Sequence, residues 1–559
     1  MDIILLIALI VGGTALLSWP LGRFMKWAMD PAEPGPRRLR LERLFEAVAG
    51  GPARRQQNWK RYAVALLVSN VVIFAVSFGF LTLQQHLPLN PDGKGAIEGS
   101  LIFNTAASFT SNTNLQHYSG EVTMSYLSQL CALMWLQFVS AATGIAALTA
   151  LARGLAGRVE LGNFFVDLQR ATFLVLLPLA LVVATLMALG GMPMTLDGSA
   201  TATTLEGAEQ VIARGPVAAF LTIKQLGTNG GGFFGPNSTH PFENPTFWTN
   251  ALSMISIILI PMASVWMFGR IVRRMRHAAV VFGVMLVLLL AKIGGAVWFE
   301  QAPTQAFEGL AIEETSANLE GKEMRFGAPG GSGPLWAVVT TSTSNGSVGA
   351  MHDSLNPMTG LMPMIGMWLN ATFGGVGVGM INMFLYIVIA VFVAGMMVGR
   401  TPEYLNRRVE AREVQLAILA VLAHALFVLV GTAVFAVTPW GTGTLNNAGA
   451  HGFSEILYEF SSASANNGSG FEGLGDNTVP WNVATGLVML LARYIPILLP
   501  LAIAGSLAAK RPTAQSAGTL GVEDGTFAVM LVGTILLIGA LTFFPAAALG
   551  PIAEHLQFM

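Results

Sequence analysis

Long apolar runs, separated by short polar connections, account for most of the 559 residues of this chain. A helix that crosses a lipid bilayer needs about 20 consecutive apolar residues. Runs of suitable length cover residues 2–20, 62–83, 124–152, 171–191, 246–269, 278–298, 358–399, 413–437, 482–506 and 525–549. The pattern predicts an all-α polytopic membrane protein with about ten transmembrane helices.

The run at 358–399 is too long for one straight helix across the bilayer. It contains four closely spaced glycines that would interrupt a helix, Gly374, Gly375, Gly377 and Gly379. An interrupted helix is tolerated at membrane depth only where it lies against protein or a water-filled cavity. We therefore expect a broken helix inside the protein.

Four short polar loops recur in this apolar background, at intervals of about 120 residues. They are centred on Asn112, Asn229, Asn345 and Asn467. Each loop follows an apolar segment of about 10–14 residues, which is too short to cross the bilayer and is typical of a half-helix that only enters it. One module copied four times explains the spacing. Two full spans per copy make the copies parallel around a pseudo-fourfold axis along the membrane normal.

Each predicted repeat consists of a span, a half-helix, a polar loop and a second span, and the broken helix is the second span of repeat 3. The predicted parts are an N-terminal transmembrane helix at 1–22, repeats one to four at 60–153, 165–276, 277–400 and 412–511, and a C-terminal transmembrane helix at 523–550. Most of the 30 Lys and Arg residues lie in alternate connections. By the positive-inside rule the amino terminus is outside, and the four loops open from the outer face.

Composition agrees with a protein that lies mostly in lipid. The chain is 53% hydrophobic and 11% charged, whereas soluble domains have about 25% charged residues. The net charge of −1, without a basic patch, gives no indication of a nucleic-acid partner. The single cysteine, Cys131, excludes an intramolecular disulfide and a multi-cysteine metal site.

The four loops have the chemistry of an ion filter. Backbone carbonyls replace the water around a potassium ion without adding a full charge. Asparagine and glycine reach the left-handed backbone angles that such a loop needs, and the carboxyl ends of the half-helices favour cations. The predicted filter residues are Ser111, Asn112, Thr113, Asn114, Thr228, Asn229, Gly230, Gly231, Gly232, Ser344, Asn345, Gly346, Asn466, Asn467 and Gly468. A single Asn-Gly pair would be interpreted as an ordinary turn, but four at a matched interval favour the filter.

Other polar residues near the loops leave alternatives open. Gln116 either borders the pore mouth or packs at a helix end. Arg493 lies within a predicted span, where a charge is costly and by default marks function; it either forms a barrier below the filter or pairs with a carboxylate. Lys292 also lies within a span and either marks function or extends to the outer interface.

Four histidines, His117, His240, His352 and His451, lie in outer segments near the loops. Their spacing does not match a helical zinc site, so we expect a polar rim and potassium as the only metal. The chain lacks a GxxxxGK[ST] phosphate loop, HExxH, GxSxG and the Asp-Lys-Thr-Gly motif of P-type pumps. We therefore expect no catalytic residue and no bound nucleotide in this chain.

With these loops in view, the sequence resembles the potassium-binding, channel-like A subunit of the Kdp potassium-transporting P-type ATPase, within the wider superfamily of potassium transporters. The resemblance covers essentially the full chain. The matching strings are WKRY from Trp59, LPLNP from Leu87, SFTSNTNLQHYSGE from Ser108, GTNGGGFF from Gly227, HPFENPT from His240, EGKEMRFG from Glu320, FGGVGVG from Phe373, RTPEYL from Arg400, HGFSE from His451 and ANNGSGF from Ala465.

The resemblance implies a complex in the bacterial plasma (inner) membrane. In that complex the B subunit, a P-type ATPase, hydrolyses ATP, and the C subunit and a small F subunit accompany it. Potassium would enter the filter from outside and pass through an intramembrane tunnel toward the ATP-hydrolysing chain. The broken helix with Gly374, Gly375, Gly377 and Gly379 would act as a gate that blocks a direct path to the cytoplasm.

The sequence departs from the resembled family at one position below the filter. Family members commonly carry Gly-Glu shortly before FGGVG, whereas the matching stretch of this chain is Leu369-Asn370-Ala371-Thr372, so a carboxylate that guides potassium out is either absent or located elsewhere. Some members also have a cysteine in place of Asn345. The alternative functions are a free-standing, gradient-driven four-repeat potassium transporter and an intramembrane enzyme, which the missing motifs disfavour.

Overall fold

The computed structural model describes residues 3–31, 43–44, 46–48, 50–51, 55–301, 332–397, 399, 401–513 and 521–557. Arg400 and the motif at Glu320–Gly327 lie outside these residues. Among the described residues, ten helices are long and apolar enough to cross a membrane, which confirms the predicted number. These spans are Ile3–Met29, Trp59–Thr82, Ser128–Leu155, Phe164–Leu189, Phe247–Ile271, Met275–Gln301, Val378–Met397, Ala411–Ala436, Val479–Ala509 and Gly525–Leu549.

The predicted half-helices are present as helices of 10 to 17 residues, each of which ends at a filter loop. They are Gly99–Thr110, Val217–Leu226, Ser332–Ser342 and Gly449–Ala465. Local chemistry explains where the first one begins, because the Glu98 side chain accepts a hydrogen bond from the backbone N–H of Leu101 at 3.0 Å. The fourth has 17 residues and is longer than the expected length of about 10–14 residues.

The long run at 358–399 forms two helices, Pro357–Leu369 and Val378–Met397, separated by an irregular segment. The break begins at Asn370, which is left-handed with φ +42°, and continues through Gly375 and Gly377 at φ +63° and +78°. These angles end the first helix because they lie outside the right-handed α region. The structure therefore contains the helix break that the glycine cluster predicts.

Short strands, which the apolar pattern did not predict, form three two-stranded antiparallel sheets in the connections that the structure describes. They pair Gln57–Asn58 with Glu160–Gly162, Ala200–Thr203 with Glu209–Ile212, and Glu403–Tyr404 with Arg407–Arg408. The remaining short helices are Gly120–Thr123, Pro439–Thr442, Pro551–Gln557 and the 3₁₀ turns Gln84–His86, Asn237–Thr239 and His352–Ser354.

The spans form two layers around the loops. The second spans of the predicted repeats 1 to 4 bury 72%, 83%, 83% and 44% of their most apolar stretch, whereas the first spans bury 33%, 28%, 50% and 28%. In each predicted repeat the second span is therefore more buried than the first, and the second spans of repeats 1, 2 and 3 form the inner layer. The inner layer is lined by small side chains, for example Ala146 and Ala263, which are fully buried.

Candidate ion-binding site

Each of the four loops repeats the same backbone hydrogen bond, in which an N–H reaches the carbonyl five residues earlier. The donors are Thr113, Asn229, Asn345 and Asn467, at N–O distances of 2.8–3.0 Å. The central residue of the first loop is therefore Thr113. Centring that loop on Asn112 is wrong by one residue, because asparagines stand on both sides of Thr113 and residue type alone selected one of them.

Left-handed residues flank the central residue of every loop. Before it they are Asn112, Thr228, Ser344 and Asn466 with φ of 64°, 47°, 48° and 51°, and after it Asn114, Gly230, Gly346 and Gly468 with φ of 54°, 71°, 86° and 109°. The four loops therefore share one backbone conformation, which favours residues that tolerate the left-handed region.

The four loops form a closed ring. A Cβ atom added to Gly230 would collide with the Asn345 carbonyl of the next loop, and one added to Gly346 would collide with Asn467 O. A Cβ on Gly468 would collide with Thr113 O of the first loop. The first loop contacts the second through the Asn114 side chain, which donates to Gly230 O at 3.0 Å, and this contact closes the ring. The loops therefore follow one another around the axis in chain order.

Asparagine side chains brace neighbouring repeats rather than filling the centre of the ring. Asn345 Nδ2 donates to the Lys224 carbonyl at 3.2 Å, and Asn467 Nδ2 donates to the Thr340 carbonyl at 3.2 Å. These carbonyls belong to the last turns of the preceding half-helices, whose carbonyls lack partners within the helix. These amides therefore hold neighbouring repeats together. Other side-chain amides donate to backbone oxygens of the second loop itself, from Asn112 to Thr228 O at 2.9 Å and from Asn114 to Gly230 O at 3.0 Å.

All predicted filter residues are buried, which removes them from bulk solvent. Four half-helix carboxyl ends meet around the ring, and each contributes a partial negative charge of about half an elementary charge. The site therefore combines uncharged oxygens with a converging negative potential, which suits a dehydrated monovalent cation.

Gln116 lies beside the second loop. Its Nε2 donates to Gly232 O at 3.1 Å, and its Oε1 accepts from Gly232 N at 2.5 Å. It lines a cavity of about 300 Å³ together with residues 117–119, 235–237 and 468–472, named the outer cavity after the predicted orientation of the chain. The structure thus brings Gln116 to both the second loop and the outer cavity.

Carboxylates that the sequence did not single out hold two of the four outer histidines. His117 Nε2 lies 3.1 Å from Glu459, and His451 lies 2.9 Å from Asp353 and 2.7 Å from Glu554. Burial lowers the pKa of His117, but the neighbouring Asp476 and Glu459 carboxylates outweigh burial and raise it to about 9. His117 is therefore a cation in a buried ion pair at the outer cavity.

His240 and His352 have different surroundings. The His240 ring stacks on Phe234 with ring centroids 3.9 Å apart. His352 is buried, and its Nδ1 lies 2.7 Å from the Tyr458 hydroxyl. The side-chain N and O atoms of His117, Glu459 and Asp476 lie within 4.8 Å of one another, close enough to hold a metal ion. The same is true of Asp353, His451 and Glu455.

The broken segment lies against the inner side of the ring. Gly375 N donates to Thr343 O at 2.5 Å, and Val376 N donates to the Thr228 hydroxyl at 2.9 Å. A Cβ on Gly377 would collide with Gly144 O on the inner span of repeat 1. The predicted gate glycines Gly374 and Gly379 pack on each other, since a Cβ on Gly379 would meet Gly374. The segment therefore contacts repeats 1, 2 and 3 at once.

Arg493 contacts the inner span of repeat 1 and is 4% exposed. Its Nη2 donates to Ser140 O at 3.0 Å, and the Ser140 hydroxyl donates to Asn112 Oδ1 of the first loop at 2.8 Å. Within the described residues Arg493 has no ion pair with a carboxylate. The structure therefore connects Arg493 to the filter through Ser140.

Lys292 does not extend to the outer interface, contrary to one expectation. It is 5% exposed, and its Nζ donates to the Ser342 hydroxyl at 2.6 Å, at the carboxyl end of the third half-helix. The negative end of the helix dipole stabilises an ammonium group there.

A small cavity of about 30 Å³ lies beside Asn370 and is lined by residues of repeats 3 and 4. This volume holds about one water molecule. Its lining includes the polar side chains Asn370, Asn382, His424 and Ser464 and contains no Asp or Glu. Asn370 thus contributes an uncharged amide to this cavity.

Comparisons with known proteins agree with this geometry. The family model described as "KdpA: Potassium-transporting ATPase A subunit" matches residues 7–556. The chain is 49% identical to a protein of Pseudomonas putida over 100% of this chain and 99% of that protein. It is 47% identical to one of Rhodospirillum centenum over 99% and 97% of the two chains. Both relatives carry the name "Potassium-transporting ATPase potassium-binding subunit".

Among solved structures, the fold is similar to the crystal structure of the potassium transporter TrkH from Vibrio parahaemolyticus. The TM-score is 0.52 at 13% sequence identity, over 89% of this chain and 97% of TrkH. This likeness concerns the fold alone. Because the family model spans almost the whole length and full-length relatives are close to half identical, the chain belongs to the potassium-transporting ATPase A subunit family.

Proposed function

We propose that this chain is the potassium-binding, channel-like component of an ATP-driven potassium uptake pump. The observation that supports this function is the closed ring, in which each loop lies against the backbone of the next. The ions would be held by backbone oxygens of residues 111–114, 228–232, 344–346 and 466–468. Potassium is the cargo, and ATP would be hydrolysed by a partner protein.

The path of the ion follows from what lies on each side of the ring. The outer cavity at Gln116 would receive potassium, and the broken segment below Thr228 and Thr343 would block a straight exit. The cavity beside Asn370 is bounded by the predicted repeats 3 and 4 and would be the start of a lateral path. The few polar side chains in its lining would contact a cation there without a carboxylate.

The partners in this proposal are the B subunit, which is the P-type ATPase, together with the C subunit and the small F subunit of the Kdp complex, in the bacterial inner membrane. The amino terminus would be outside, so that the outer cavity faces the periplasm or medium. Family membership supports an ATP-driven complex over a free-standing, gradient-driven transporter, since the relatives are named as parts of an ATPase.

The decisive experiment measures ATP hydrolysis by the purified complex against potassium concentration, with the Gly346→Ala variant beside the wild type. The added methyl group would displace the Asn467 carbonyl and open the ring, so potassium stimulation should require a much higher concentration. Gly93→Ala is the matched control, because Gly93 also has positive φ but faces open space. Potassium transport by the chain alone in liposomes would instead support the free-standing alternative.

A further inference from the structure

A fully buried ion pair lies beside the second filter loop and has no counterpart in the sequence predictions. Lys224 Nζ lies 2.7 Å from Glu243 Oε2, and both side chains are 0% exposed. Removing two charges from water costs several kcal/mol per ion unless further hydrogen bonds compensate. A buried pair beside the filter therefore needs hydrogen bonds from neighbouring groups to both charges.

The second carboxylate oxygen of Glu243 holds the backbone directly after the filter glycines. Oε1 accepts from Phe233 N at 2.6 Å and from Phe234 N at 3.0 Å. The Lys224 ammonium in turn donates to the Asn237 side chain and to the Ser238 hydroxyl, the latter at 3.0 Å. Lys224 therefore orients Glu243, and Glu243 holds the outer limb of the loop, which comprises Gly232, Phe233 and Phe234.

The second loop needs this support because of its composition. It has three successive glycines, two of which, Gly230 and Gly231, have positive φ, and glycine has more conformational freedom than any other residue. In loops 3 and 4 the central asparagine braces its own loop, since Asn345 Oδ1 accepts from Ser347 N at 2.8 Å and Asn467 Oδ1 accepts from Ser469 N at 3.0 Å.

Asn229, the central residue of loop 2, provides no such brace. Its Oδ1 accepts no hydrogen bond from the described residues, and its amide donates to Asn112 and Ser140 at 2.6 and 3.1 Å. Lys224 supports loop 2 through both its backbone and its side chain. Its carbonyl accepts from Asn229 N at 3.0 Å, and its ammonium fixes the outer limb through Glu243.

We propose that the Lys224–Glu243 pair is a positioning element that fixes the outer limb of loop 2 and thereby sets the discrimination between potassium and other alkali cations. The inference deepens the proposed function and rests on it. Neither side chain contacts the ion. The pair acts through the carbonyls of residues 230–232, whose spacing determines how well they replace the water around each cation.

The test compares two double variants in the purified complex. Lys224→Met with Glu243→Leu removes both charges and the acceptor, which buried sites tolerate better than the loss of one charge. Lys224→Met with Glu243→Gln removes the charges but keeps an oxygen for Phe233 N and Phe234 N. The readout is the ratio of apparent affinities for potassium and rubidium, measured by stimulation of ATP hydrolysis, because this ratio does not depend on the amount of folded protein.

The leucine variant should lose about tenfold in this ratio, as expected for loss of hydrogen bonds to a charged acceptor, and the glutamine variant should lose less. Glu455→Leu is the matched control. Glu455 is also fully buried and accepts from two successive backbone groups, Asn446 N and Asn447 N, both at 3.0 Å, outside the filter. It should keep the wild-type ratio.

An unchanged ratio in an intact leucine variant would overturn the inference. If that variant does not assemble, Glu243→Asp decides, because it keeps the charge but shortens the reach to Phe233 N by one methylene. Wild-type discrimination there would also overturn it. The Gly231→Asp variant distinguishes failure of this inference from failure of the proposed function. If Gly231→Asp alone changes the ratio, only the role of the ion pair is refuted. If no loop 2 variant changes the ratio, the filter itself is refuted.

Discussion

Ser344 donates a hydrogen bond of 2.8 Å to the side chain of Asn370, which ties the third filter loop to the residue at which the inner helix breaks. Asn370 in turn donates to Ala465 O at 3.2 Å, at the end of the fourth half-helix. Both hydrogen bonds are partly buried, so breaking either one leaves a polar group incompletely solvated. The third loop, the start of the broken segment and the end of the fourth half-helix are therefore parts of one hydrogen-bonded unit.

Replacing Asn370 should loosen this unit. Asn370→Gly keeps the left-handed backbone but removes both hydrogen bonds, a loss of about 2 kcal/mol in total. We expect potassium to leak through the complex in liposomes without ATP, measured as rubidium efflux. Asn370→Asp retains the acceptor for Ser344 and should leak less than the glycine variant. A glycine variant as tight as the wild type would contradict the gate.

A charge beside the ring should weaken selectivity. A side chain at Gly231 would start 3.0 Å from Gln116 Oε1 and 3.1 Å from Asn114 O, so Gly231→Asp places a carboxylate among the ring oxygens. A full charge binds any small cation strongly and reduces discrimination. We expect the potassium-to-sodium preference of the complex to fall by about tenfold or more. Gly207→Asp, at an open position with positive φ, is the control and should behave as wild type.

Removal of the charge at Arg493 should alter the coupling of transport to ATP hydrolysis. Arg493→Met retains a long side chain but loses the hydrogen bond to Ser140 O and the positive charge. We expect a changed ratio of rubidium transported to ATP hydrolysed, because the variant lacks the buried positive charge that contacts Ser140 beside the first loop. Arg493→Lys, which keeps the charge, should lie closer to the wild type. Identical ratios in all three proteins would leave Arg493 a packing role only.

The ion pair of His117 predicts a loss of stability at high pH. The pKa of His117 is about 9 in the folded protein and about 6.5 in an unfolded chain. The contribution is therefore full below about pH 6.5 and is lost as the pH rises through about 9. The melting temperature of the solubilised complex should fall across this range. His117→Gln should show a flatter pH profile, and parallel profiles would exclude the ion pair.

Much of the architecture follows from local sequence. Apolar runs give the ten spans because a bilayer sets their length, and Gly375 and Gly377 give the break because their angles end a helix. The exact register of the first loop does not follow, since Asn112 and Asn114 are both acceptable left-handed residues and only the backbone hydrogen bond of Thr113 distinguishes them.

Partnerships between distant segments were also missed. His117 pairs with Glu459 and Arg493 reaches Ser140, across 342 and 353 residues respectively. No period or motif in one sequence connects such positions. Lys224 and Glu243 are closer in the chain. Their proposed role depends on Asn229, whose Oδ1 accepts no hydrogen bond from the described residues, whereas Asn345 Oδ1 and Asn467 Oδ1 accept one from their own loops. Only the structure shows this difference between the loops.

The contact of each ring glycine with the following loop has an evolutionary consequence. A side chain gained at Gly346 or Gly468 would displace the backbone of the next loop in the ring rather than that of its own loop. Tolerated changes should then occur as compensating pairs in successive loops. Among homologues, each ring glycine position should covary with the loop that follows it in the ring. A pore encoded by a single polypeptide can accumulate such pairs one loop at a time, whereas four identical chains would have to change together.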